Sequence, residues 1–146
     1  MGLGIKVSKV WDPTVLTPFV DPLFDVTGRV LMTLLFGEVV TGLATVTTLQ
    51  LKVGVVALNS ATTITSDVAG TIYWHGGDTG AIMNGGDAPV VGIGSQANVA
   101  AYPNIIGILG GALTINAVAD QAGTGAVLWN LWYFPLDIGA KVVAAA

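Results

Sequence analysis

Ala126-Val-Leu-Trp-Asn-Leu-Trp-Tyr-Phe-Pro-Leu-Asp137 is the stretch whose reading decides the fold. In an extended chain successive side chains point to opposite faces, so Val127, Trp129, Leu131 and Tyr133 share one face and Leu128, Asn130, Trp132 and Phe134 the other. Both faces carry large apolar groups, and such a strand needs cover on both sides. Gly123-Thr-Gly125 is a turn signal ahead of it. Pro135 has no N–H to give a ladder and marks where regular pairing stops. One face belongs to the domain's own core; the other asks for a second sheet or another subunit.

Composition sharpens that demand. Of the 146 residues 53% are hydrophobic and only 10% are charged, against about 25% charged in an ordinary soluble domain. The surface is therefore short of ionised groups. From Ala88 to Ala119 there is no charge, but Pro89, Gln96, Asn98, Pro103, Asn104, Asn116 and several glycines interrupt the run. No window offers the roughly 20 predominantly apolar residues of a spanning helix. Lys6 and Lys9 are followed by no apolar segment of signal-peptide type. Neither a membrane nor an export route is expected. The absence of cysteine excludes disulfides and thiolate metal sites. A net charge of −4 with Lys6, Lys9, Arg29, Lys52 and Lys141 standing singly argues against nucleic acid, which is held by clustered cations.

Along the chain, residues 1–27 read as an extended N-terminal arm. Pro13, Pro18 and Pro22 block a helix, while Trp11, Phe19 and Phe24 make the segment too apolar for a disordered tail. The arm lies over its own domain or crosses to a neighbour. Residues 28–146 read as the β domain. Arg29 to Val40 is a strand with a bulge or bend at Gly37. Thr45 to Val56 alternates with period two, Thr62 to Ser66 and Gly70 to His75 are short strands, and Asn104 to Gly110 and Ala112 to Ala119 flank a Gly110-Gly111 hairpin turn or bulge. Ile138 to Ala146 is a tail. The fold class is all-β: a single β-sandwich, jelly-roll-like or barrel domain of about eight short strands with an extended N-terminal arm.

The chain holds little catalytic chemistry. His75 is the sole histidine and has no cysteine to pair with; the hydrolase elbow Gly-x-Ser-x-Gly is absent, since Gly92-Ile-Gly94-Ser95-Gln96 breaks it. Most carboxylates stand beside Gly, Pro or Ser, where they serve turns. Gly76-Gly-Asp78 and Gly85-Gly-Asp87 share the period of calcium-binding nonapeptides, but two copies are too few to stack and the aspartate falls at the wrong place in the unit. No enzyme activity, cofactor or metal is expected. Two function classes remain. One is a structural protein whose apolar strands are buried in a symmetric assembly; the other is a binder of a glycan or small ligand through Tyr73, Trp74, Trp129, Trp132 and Tyr133.

Two segments, Thr27-Gly-Arg-Val-Leu-Met-Thr-Leu-Leu-Phe-Gly-Glu-Val-Val-Thr41 and Ala126-Val-Leu-Trp-Asn-Leu-Trp-Tyr-Phe-Pro-Leu-Asp-Ile-Gly-Ala-Lys-Val142, give the chain a resemblance to the capsid decoration, or cement, proteins of tailed bacteriophage heads. The resemblance implies a β-rich virion protein, made in the host cytoplasm. It implies a homo-oligomer, most often a trimer, that binds the major capsid protein on the exterior of the expanded shell. Repeated attachment to a symmetric lattice gives avidity, so each contact can be weak. The expected interface residues are Trp11, Phe19 and Phe24 of the arm with Trp129 and Trp132, one of the last two in the core and one between subunits. Removing residues 1–27 is expected to leave a folded body that no longer attaches.

Overall fold

The aromatic stretch forms a strand with a neighbour on each side, one paired along it from 124 to 135 and the other over 127 to 133. The computed structural model describes residues 2–14, 20–54, 56–58, 61–75, 82–84 and 104–146, with the main chain alone at 56, 74, 75, 82–84 and 104. Ten strands are described: β1 (Ile5–Trp11), β2 (Val20–Ala44), β3 (Thr48–Val53), β4 (Val56–Ala57), β5 (Thr62–Thr63), β6 (Ile72–His75), β7 (Ile82–Asn84), β8 (Asn104–Ala119), β9 (Thr124–Pro135) and β10 (Lys141–Ala144). They make one antiparallel, curled sheet, a half-barrel, with the order β1-β9-β2-β8-β3-β4. The chain is all-β, as its alternating pattern requires. Off this path β10 and β6 pair with β2, β7 with β6, and β5 with β3.

The faces of β9 divide as their parity demands. Val127, Trp129, Leu131 and Tyr133 are buried, opposite Trp11, Lys9, Val7 and Ile5 of β1 and Val39, Gly37, Leu35 and Met32 of β2. Burying side chains of this size stabilises by about 1.5–3 kcal/mol each. Pro135 is the last residue of the strand, as its missing N–H dictates.

β2 is the spine. Its 25 residues far exceed the usual strand length of about 3–10, and it changes neighbours along both edges. Residues 24–27 pair with β10 and 30–44 with β9 on one edge; residues 20–32 pair with β8 and 36–38 with β6 on the other. β8, β9 and β10 all break step at Gly28, whose φ is +67°, a conformation open to glycine at no steric cost. On one side the partner jumps from Gly107 to Ala112, leaving 108–111 looped out. On the other, β9 stops opposite Val30 and β10 resumes opposite Thr27, leaving 136–140 looped out.

Several boundaries differ from those read in the sequence. The division expected at residue 28 falls inside β2, and the segment expected as an arm supplies β1 and the first third of the spine. Pro22 is accommodated by an irregularity in register between Pro22 and Phe24, the setting in which a sheet tolerates proline. The bulge expected at Gly37 lies instead between Met32 and Leu34. Gly37 is in register opposite Trp129, and glycine is needed there because a Cβ would meet Val127 Cγ1 at 2.9 Å and the Trp129 ring at 3.0 Å. Gly110-Gly111 lies in an irregularity within β8, the bulge of the two alternatives expected there, and the expected tail contains β10.

Candidate functional site

The interruption at Gly28 creates the most distinctive surface of the molecule. The turn after β9 is closed by the Ala140 amide donating to the Asp137 carbonyl at 3.0 Å, with Gly139 at φ +80°. Arg29 grips its base. The guanidinium donates through Nη2 to Asp137 Oδ1 at 2.7 Å and through Nε to Oδ2 at 3.0 Å, and the Arg29 amide donates to Oδ2 at 2.8 Å. A forked, charge-assisted contact of this kind fixes geometry as well as adding attraction. The hydrogen bond and the charge of Arg29 hold the Asp137 carboxyl below the usual carboxylate range.

That turn presents Ile138 at full exposure, flanked by Leu136 at 47%. Across Gly28 the second loop-out presents Ile108 at 48% and Leu109 at 68%. Between the two loops lies an open cleft of about 570 Å³, floored by Thr27 and Gly28. Four large aliphatic side chains thus stand in water on either side of one glycine. The patch continues across the sheet, because Leu31 of β2 is paired with both Phe134 of β9 and Ile105 of β8, which are 43% and 68% exposed. Contiguous exposed apolar surface of this kind marks an interaction site.

The rest of the outward face is more nearly self-covered. Trp132 stacks on Phe36 from the β2 side, with ring centroids 5.6 Å apart, and Lys6 reaches over its ring from the β1 side at 5.2 Å. Beneath them Asn130, 4% exposed, accepts a hydrogen bond from the Ser8 hydroxyl at 2.7 Å. A polar group on a strand flanked by large apolar ones is satisfied locally, as burial demands.

The residues expected at an interface are separated by the fold. Trp11, Phe24 and Trp129 are fully buried in the chain's own core, and Trp132 is half-buried on the outward face. Phe19 lies outside the described residues, as do the side chains of His75 and Trp74 and most of the segment 76–87 read for calcium. Of the aromatics considered for a ligand platform, Tyr73, Trp129 and Tyr133 are buried. Tyr73 packs on Trp129 at 6.3 Å and its hydroxyl donates to the buried Asp67 Oδ2 at 2.6 Å; burial first, and this bond second, push its pKa well up. The Trp129 Nε1 has no acceptor among the described residues. These groups serve the interior. Trp132 keeps little free ring face for stacking a sugar, with Phe36 and Lys6 on it.

Sequence reading missed the Gly28 surface altogether. The available signal was the pairing of two glycine-containing turns, Leu109-Gly-Gly111 and Asp137-Ile-Gly139, each carrying an aliphatic residue where turns usually carry polar ones. Among the described residues no cluster of three or more His, Asp or Glu stands together to hold a metal ion. Nor is any described helix long and apolar enough to cross a membrane. No protein-family model matches the chain, and neither a curated protein nor a solved structure is significantly similar to it.

Proposed function

We propose that this chain is a structural virion protein that binds and stabilises the outer surface of a phage capsid as a symmetric oligomer. The observation that carries the reading is the braced display of Ile108, Leu109, Leu136 and Ile138 around Gly28. A free-standing domain gains nothing from holding Ile138 fully in water on a turn clamped by Arg29. An attachment protein gains an anchor whose ordering cost is met before binding. The resemblance of segments 27–41 and 126–142 to decoration proteins supports the same reading, and those segments include Gly28, Arg29, Asp137 and Ile138. The scarcity of charge supports burial of part of the surface in an assembly.

The test is sedimentation of purified protein with shells built from the major capsid protein of the same virus. Ile138→Asp and Leu109→Asp leave the core untouched and are expected to keep the fold. Each places a carboxylate in what becomes a dry contact and is expected to reduce occupancy at least tenfold, from a loss of roughly 1.5 kcal/mol or more per site. Wild-type occupancy by the doubly substituted chain would remove the assignment.

A further inference from the structure

The cleft at Gly28 is lined by ten residues, whereas a stable protein interface takes about 20–30 residues from each side. An attachment built on it must run further over the molecule, and the exposed apolar side chains give the direction. Gly28 lies toward the Pro135 end of β9, where Pro135 is opposite Val30 of β2. The residues next to it form a rank across the sheet: Phe134 of β9 is paired with Leu31 of β2 and Leu31 with Ile105 of β8, while Ile5 of β1 stands opposite Tyr133. The chain just before β1 is fastened to the same end. The Thr33 hydroxyl donates to the Leu3 carbonyl, and the Phe134 ring lies 3.4 Å from where a Cβ on Gly4 would stand. Leu3 and Ile5 are 47% and 50% exposed. The opposite end of β1 is built differently. Val10 is 52% exposed there, but its rank runs through Leu128 to Glu38 and so carries a carboxylate where the Pro135 end has Leu31.

We propose that the shell-facing surface is this whole end of the sheet, with Leu3 and Ile5 as its far margin, and that the surface it meets on the shell is apolar and uncharged. The inference rests on the reading of the chain as a shell-binding protein and names the rest of the contact and the chemistry of the partner. Charge decides the second part. Arg29 and Asp137 face each other at 2.7 Å, and Lys6 lies over the Trp132 ring, so these groups are engaged within the chain and a partner gains an ion pair from them only by breaking one already made. The side chains left facing outward are aliphatic or aromatic. They gain about 25 cal/mol per Å² removed from water, and only against a surface of like kind. A charged patch pressed on Leu3, Leu109 and Ile138 would lose its hydration with nothing to replace it.

Sedimentation of the full chain with shells of the major capsid protein tests both parts. Ile5→Asp and Leu3→Asp are each expected to reduce occupancy about tenfold, while Val10→Asp, at matched exposure on the same strand as Ile5, keeps wild-type occupancy. Leu3 precedes β1, so its substitution leaves the sheet intact and gives a reading even where thermal melting shows Ile5→Asp to be less stable. Wild-type occupancy by the chain carrying both Leu3→Asp and Ile5→Asp overturns the proposed margin; where Leu109 and Ile138 are still required, shell binding through the Gly28 surface stands without it. An equal loss from Val10→Asp also overturns it, because the contact is then not confined to one end. Indifference to the Leu109 and Ile138 substitutions removes the shell-binding reading itself and this inference with it. Apolar contact is little screened by salt, so occupancy is expected to change less than about twofold between about 0.05 and 0.5 M NaCl. A tenfold fall over that range overturns the uncharged character of the partner surface.

Discussion

Gly37 shows how a missing side chain sets the interior. The indole of Trp129 and the methyl of Val127 occupy the space where a Cβ would stand, at 3.0 and 2.9 Å, so the largest core residue of β9 is seated on bare backbone of the spine. Gly37→Ala is expected to destabilise the protein by about 1–3 kcal/mol through overpacking, measured as a lower urea midpoint with an unchanged slope. A midpoint equal to wild type would show that the indole shifts freely. In sequence the glycine reads as a bend, because nothing local reveals that a tryptophan some 90 residues away lies against it. Trp129 itself is legible as buried or interfacial from parity; only its neighbours Tyr73, Val127 and Gly37 show that it is buried.

Among elements, β2 departs furthest from its sequence pattern. Its first third passes through Pro22 and its middle through Gly28, both strand breakers locally. The strand persists because each breaker coincides with an irregularity in its pairing with β8, and at Gly28 also with the gap between β9 and β10. This changes what a truncation does. Removal of residues 1–27 takes away β1, the buried Trp11, Leu23 and Phe24, and the partner of β10. Large apolar side chains of that kind are worth about 2–5 kcal/mol each in a core, and their joint loss exceeds the usual stability of a domain of about 5–15 kcal/mol when the two strands go with them. The truncated chain is expected to be unfolded by circular dichroism. A cooperative melting transition from it would restore residues 1–27 as a separable arm.

At the scale of the whole molecule, few carboxylates hold the curled sheet together, and pH reads them out. The folded-state pKa of Asp137 is lowered by its hydrogen bond and charge contact with Arg29. For Asp120, burial pushes the pKa up, but hydrogen bonds from the Thr47 side chain and the Thr48 and Thr47 amides outweigh it and leave the group lowered. A lowered folded-state pKa gives stability that is present above the unfolded value of about 3.9 and lost as pH falls through the folded one. Asp21 has the opposite sign: burial raises it, Lys9 lowers it and Asp12 raises it, with a net rise, so it favours the folded state at low pH and opposes it as pH climbs. The melting temperature is therefore expected to fall below about pH 4, and the gap between wild type and Asp137→Asn to close over the same range. Parallel curves for the two proteins down to pH 2 would show that the Arg29 contact does not couple to folding.

The amino-acid sequence alone determined the all-β class, the two-faced character of β9, the stop at Pro135 and the shortage of charge, because alternation, missing N–H groups and composition are local or additive properties. Only the tertiary structure decided that Trp11, Phe24 and Trp129 face inward, that Lys6 lies over Trp132 and Lys9 bonds to the Ala145 carbonyl, and that two loops flank Gly28 with Ile138 and Leu109 outward. Each of these depends on which strand lies beside which, and contacts that join residues some 70 to 140 positions apart leave no trace in the spacing of neighbours along the chain.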